Sequence, residues 1–131
     1  MEGLGFTLSE KDLLEKVGAK AVILFGSQAL GKARTTSDFD VGIIGQNRLE
    51  IYDLVYNLLA AKIDRFVNID IVFLDEASLE LRSHVAAYGK ILYQKEPRVF
   101  ADFRQKVMIE AADFAPLRAI FSAATLLRIS P

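Results

Sequence analysis

Residues 21–44 read AVILFGSQALGKARTTSDFDVGII, and this stretch decides the fold. Ala21–Phe25 is an unbroken apolar run cut short by Gly26-Ser27, which is how a buried strand ends in a tight turn. Gly26 has no Cβ, so backbone can approach a ligand closely there. Ser27 adds a hydroxyl and an N–H. If residues 28–32 turn into a helix, its first N–H groups lack intrahelical partners and suit a phosphate. Ten residues after the Gly-Ser pair come Asp38 and Asp40. They lie at the start of a second predicted strand, Phe39–Ile44, where side chains alternate. The two aspartates therefore share one face, and Phe39, Val41 and Ile43 take the other. Two carboxylates facing a phosphate cradle make a hard-cation site suited to Mg²⁺. Taken singly, Gly26-Ser27 reads as an ordinary turn and the aspartates as a solvated strand edge. Their combination on flanking strands is what points to chemistry.

Working outward, the spacing predicts a helix over 9–17, with Ser9 and Asp12 as a capping box and Gly18 as its stop. A strand follows over Lys20–Phe25. After the loop Lys32–Ser37 and the second strand, Ile51, Leu54, Val55, Leu58 and Leu59 recur at helical spacing, giving a helix over 48–62. Asn68–Leu74 (NIDIVFL) is a third strand. Asp75-Glu76 opens a helix to about Tyr88, ended by Gly89. Ile91–Tyr93 is a short fourth strand or extended connector. Pro97 suits the first turn of a long helix, Pro97–Ala115, and Pro116 interrupts it before a last helix, Pro116–Ile129. Helix and strand alternate through residue 93. The expectation is one α/β domain: a small mixed sheet of three to four strands with flanking helices, a core of about 1–95, and a helical extension of about 97–130.

Composition fits. The chain has 131 residues, enough for one core, and is 52% hydrophobic. Sixteen basic and 17 acidic residues leave a net charge of −1, so direct nucleic-acid binding is not expected. Cysteine is absent, which excludes disulfides, thiolate metal sites and thiol nucleophiles. There is no signal-peptide pattern at Met-Glu-Gly and no apolar run long enough to span a membrane, so a soluble cytoplasmic protein is expected.

Asp70 stands between Ile69 and Ile71 inside an apolar run. Either it projects from an exposed face or pairs with a base, or its strand lies beside the second one and delivers a third carboxylate to the same site. His84, the sole histidine, reads as a surface or half-buried helix position rather than a catalytic one. Lys32 and Arg34 follow the turn and either face phosphates or lie on an open loop. Lys90, Lys95, Arg98, Arg104 and Lys106 read as a solvated face or as counter-charge to a triphosphate. Phe100, Phe103, Val107, Phe114, Leu117, Ile120, Phe121, Leu126 and Leu127 form apolar stripes, for the core or for a partner or oligomer surface.

These residues resemble the DNA polymerase β-type nucleotidyltransferase superfamily: Gly26-Ser27, ten residues, Asp38-x-Asp40, then one Asp on a following strand. The short length is similar to its minimal members, the MNT domains, and the chain beyond Tyr88 resembles the MntA-type antitoxins encoded with HEPN toxins of the HepT type. The resemblance implies a polymerase β-like palm fold. It also implies AMP transfer from ATP to a toxin tyrosine, which silences the toxin's RNase activity. It assigns the triphosphate to Gly26 and Ser27, and two Mg²⁺ ions to Asp38, Asp40 and Asp70, with Asp70 helping to activate the acceptor hydroxyl. Gln28 departs from the Arg that often follows Gly-Ser in this family. No appended substrate-binding domain is seen, which lowers the case for an antibiotic acceptor. A binding module that neutralises the toxin without chemistry, and transfer to a small molecule or RNA, stand as the alternatives.

Overall fold

The computed structural model describes residues 5–26, 28–29, 38–63 and 68–113. Ser27, the loop Lys32–Ser37 with Lys32 and Arg34, Phe114, and the helix expected over Pro116–Ile129 lie outside the described residues. Gly26, Gln28 and Ala29 are each in turn backbone, in place of the helix expected from residue 28.

The element order is α1 (Leu8–Val17), β1 (Ala21–Phe25), β2 (Phe39–Ile44), α2 (Leu49–Lys62), β3 (Ile69–Phe73), α3 (Leu79–Tyr88), β4 (Lys90–Gln94) and α4 (Val99–Asp113). The four strands form one mixed sheet in the order β3-β2-β1-β4. β1 pairs antiparallel with β2 and β4, and β2 pairs parallel with β3. A parallel neighbour needs a crossover, and α2 supplies it.

Both faces of the sheet are covered. On one face Val22, Leu24, Val41 and Ile43 meet Leu14 of α1 and Ile51, Val55 and Leu59 of α2. On the other, Ala21, Ile23, Phe25 and Ile44 meet Val85 of α3 and Phe100, Phe103 and Val107 of α4. This explains the uninterrupted apolar run of β1: a central strand sandwiched between layers buries every side chain, so alternation disappears. Glycines set two close approaches. A Cβ at Gly42 would stand 2.9 Å from the Leu74 side chain, and one at Gly89 would stand 2.6 Å from both Ile23 Cγ2 and the Val85 carbonyl oxygen.

Several boundaries differ from those expected. The capping box of α1 uses Thr7 and Glu10, not Ser9 and Asp12. The Thr7 hydroxyl accepts from the Glu10 N–H at 3.2 Å, and the Glu10 carboxylate accepts from the Thr7 N–H at 2.8 Å. Both pairs keep the required three-residue spacing, but the cap lies two residues earlier. Gly18 ends it in the left-handed region at φ 97°. Asp75 and Glu76 fall in a 3-10 turn, Leu74–Glu76, rather than opening α3. Ser78 is the true cap, its hydroxyl accepting from the Leu81 N–H at 3.2 Å. Gly89 ends α3 in extended backbone, so its glycine serves the approach to Ile23 and not a left-handed turn. Residues 90–94 are a full strand, Lys90–Gln94, paired with β1. Pro97 precedes α4, whose start is held by Gln94: its side chain accepts from the Phe100 N–H and donates to the Pro97 carbonyl, each at 3.2 Å.

Candidate active site

Register brings the predicted residues to one end of the sheet. Phe25 at the end of β1 pairs with Asp40 of β2, and Asp40 pairs with Asp70 of β3. The neighbours of Asp40, Phe39 and Val41, are buried on the α1/α2 side, so Asp40 projects from the face that α3 and α4 cover. Asp70 lies beside it on the same face, between Ile69 and Ile71, which pack toward α2. Each of the two readings of Asp70 is met in part: its strand lies beside the second one, and Asp70 itself is exposed. Asp38, just before β2, is exposed, and Asp40 is half-buried.

Asp40 is held above the usual carboxylate range. Burial is the main cause, then the charges of Asp70 and Asp38, while His84 pulls the other way. Asp40 thus senses both other acids, and a cation beside it would relieve that repulsion. Among the described residues, no group of three or more His, Cys, Asp and Glu side chains is gathered tightly enough to hold a metal ion alone.

Gly26 has φ 76°, in the left-handed region, and its missing side chain is needed for a specific reason. A Cβ there would collide with the Asp40 carboxylate, with Asp40 Cγ at 3.2 Å. The turn and the acid are packed against each other. Gln28 is 5% exposed, so position 28 is turned into the protein rather than presented to solvent.

Sequence reasoning set His84 aside. It is half-buried as expected, yet it lies against the end of the sheet that carries Asp40, its ring meeting Phe25 edge-on at 6.3 Å. The available signal was the pair His84 and Tyr88, one helical turn apart and so on one face. The extension helix α4 buries Phe100, Phe103 and Val107 but leaves Met108 67% and Ile109 57% exposed. No helix among the described residues is long and apolar enough to cross a membrane.

A mixed sheet with Gly26 packed on Asp40 and Asp70 alongside is the frame of a nucleotidyltransferase palm. The family model for polymerase beta nucleotidyltransferases matches residues 10–98, and the chain belongs to that family. Among individual relatives, it is 31% identical over 101 residues to protein adenylyltransferase MntA of Aphanizomenon flos-aquae (strain 2012/KM1/D3), covering 69% of this chain and 67% of the relative. Its fold matches a crystal structure of a toxin-antitoxin with AMP-PNP at a TM-score of 0.66 and 22% identity, over 92% of this chain and 99% of the other. It also matches the structure of a tri-AMPylated Shewanella oneidensis HEPN toxin in complex with an MNT antitoxin at a TM-score of 0.58 and 20% identity, over 89% and 97% of the two chains. These structural likenesses bear out the expected α/β nucleotidyltransferase fold.

Proposed function

We propose that this chain is a Mg²⁺-dependent protein adenylyltransferase. It moves AMP from ATP to a tyrosine hydroxyl of a HEPN-type toxin and so acts as a cytoplasmic antitoxin. The observation that carries the reading is the cross-strand row Phe25–Asp40–Asp70 with Gly26 seated on Asp40. The 31% identical relative is itself described as a protein adenylyltransferase.

In this reading Gly26 and Ser27 hold the triphosphate, and Asp38, Asp40 and Asp70 hold the metal. Bound Mg²⁺, two ions in the full site, would neutralise the phosphates and favour the ionised acceptor oxygen. The residues of the chain do the rest. Asp70, on the outer strand, takes the proton from the acceptor hydroxyl as that oxygen bonds to the α-phosphorus. The bond from the α-phosphorus to the bridging oxygen breaks in line, and pyrophosphate leaves. In this reading the triphosphate lies on the Gly26 side of Asp40 and the acceptor on the Asp70 side, the arrangement an in-line displacement needs.

The charges of Asp70 and Asp38 acting on the half-buried Asp40 support chemistry over passive binding, because a toxin-blocking module gains nothing from that repulsion. In the proposed division of the chain, about 1–95 is the catalytic core and about 97–130 supplies toxin contact. The test is to incubate the chain with a HEPN toxin, ATP and Mg²⁺ and to seek a 5′-AMP adduct on a toxin tyrosine by mass spectrometry. Loss of the adduct on chelation or in Asp38→Asn supports the reading. Toxin neutralised with no adduct would replace it with non-catalytic binding.

A further inference from the structure

The carboxylates and the Gly-Ser turn leave the ring cluster beside them without a task. His84 and Tyr88 share one face of α3. The His84 ring meets Phe25 at 6.3 Å with planes at 74°, and meets Tyr88 at 5.2 Å with planes at 52°. Phe25 immediately precedes Gly26 and is the register partner of Asp40. The rings therefore form a ladder from the carboxylate row to the surface, where Tyr88 is 54% exposed. The ladder is fixed at its base. Phe25 is buried, and the close approach of Gly89 to Ile23 lays the last turn of α3 directly on β1.

An exposed phenol ring backed by a second ring is a platform for a flat group. Three parts of the two substrates compete for it. The triphosphate is disfavoured, because Tyr88 is the last residue of α3 and a helix C-terminus carries partial negative charge. The acceptor ring must bring its hydroxyl to Asp70, which lies across Asp40 from Phe25. The purine base remains, at the Gly26 end of the row where the proposed reading puts the triphosphate.

We infer that Tyr88, backed by His84, stacks the base of the bound nucleoside triphosphate. Tyr88 is then a nucleotide-binding residue and His84 a positioning residue acting through Phe25 and Tyr88. The inference rests on the nucleotidyltransferase reading above, and its test separates the two.

The full chain is titrated calorimetrically with ATP and with inorganic tripolyphosphate, each with Mg²⁺. Tyr88→Ala should weaken ATP by about tenfold, the scale of one lost base stack, and leave tripolyphosphate unchanged. Tyr88→Phe should bind ATP like the wild type. His84→Gln should give a smaller loss for ATP alone. The chain has no tryptophan and four tyrosines, so quenching of tyrosine fluorescence by ATP gives a second readout, reduced in Tyr88→Phe. If Tyr88→Ala binds ATP as the wild type does, or loses tripolyphosphate equally, the base platform is wrong and the nucleotidyltransferase reading stands. If the wild type binds neither ligand, both fall.

Discussion

Gly26 and Asp40 are in direct contact across the β1–β2 pair: the space where a side chain at 26 would stand is filled by the Asp40 carboxylate. The glycine ahead of the serine thus serves the acid as well as any phosphate. Its φ of 76° adds a second constraint, since a left-handed residue other than glycine costs about 1–2 kcal/mol.

Gly26→Ala is therefore expected to move Asp40 as well as strain the turn. A shift of about 1 Å in a reacting group costs on the order of 100-fold in rate. We expect AMP transfer to fall by about that factor, with circular dichroism unchanged, and Gly26→Val to abolish ATP binding by calorimetry. Wild-type transfer by Gly26→Ala would show that Asp40 adapts freely and that the contact has no role.

Asp40 should lower the stability of the metal-free protein. Its folded pKa lies above its ordinary value of 3.8, so the folded state prefers the protonated acid. The associated stability is complete below 3.8 and is lost as pH rises through the folded pKa. In chelator at neutral pH, Asp40→Asn should melt higher than the wild type, and the gap should close as pH falls toward 4. Added Mg²⁺ should raise the wild-type Tm and leave the variant little changed. Transfer activity should be lost in the variant. A lower Tm for Asp40→Asn at neutral pH would mean that the carboxylate is held by attractive contacts.

The path from sequence to site was legible where local pattern and chemistry coincide. The apolar run before Gly26, the start of the second strand at Phe39, and the lone charge of Asp70 among isoleucines each carry their own physical signature. Strand order was less accessible, because pairing of β4 beside β1 joins residues far apart in sequence and leaves no periodic trace. His84 shows the same limit. Nothing around Ser83 or Val85 signals that α3 crosses the end of β1; only the packing of Gly89 on Ile23 brings the histidine to Phe25. The misplaced cap of α1 has a different cause: Thr7, Ser9, Glu10 and Asp12 offer overlapping boxes, and propensity alone does not choose between them.

Arg82 clamps α3 to α4. Its guanidinium donates to both Glu110 oxygens, at 2.6 and 3.0 Å, and its Nε donates to the Ala77 carbonyl at 3.1 Å. The hydrogen bond from Arg82 holds the Glu110 carboxyl below its ordinary value of 4.5. The pair's contribution is then present above that value and is lost as pH falls through the lower folded pKa. Glu110→Gln should lower the Tm at neutral pH by a few degrees, with the difference vanishing in acid; a thermal scan from pH 7 to 3 would test it. Arg82→Lys should be nearly as damaging, because an ammonium cannot reproduce the fork. A pH-independent difference would assign the effect to packing.

Docking and chemistry should be separable on this chain. The buried residues of α4, Phe100, Phe103 and Val107, hold the helix to the sheet, while Met108 and Ile109 face outward. A stable interface needs roughly 800 Å² per partner, more than a catalytic cleft offers, so the outward face of α4 is expected to carry part of the toxin contact. Burying an apolar side chain of this size is worth about 1.5–3 kcal/mol. Met108→Asp with Ile109→Asp should therefore weaken toxin binding by at least tenfold while ATP binding stays as in the wild type. Asp70→Asn should do the reverse: it binds the toxin normally and leaves it without AMP, because the group proposed to take the acceptor proton is gone. Co-purification with the toxin, followed by mass spectrometry of the toxin, reads both variants in one experiment. Normal adduct formation by Asp70→Asn would remove that residue from the chemistry, and undiminished binding by the α4 double variant would move the docking surface off this helix.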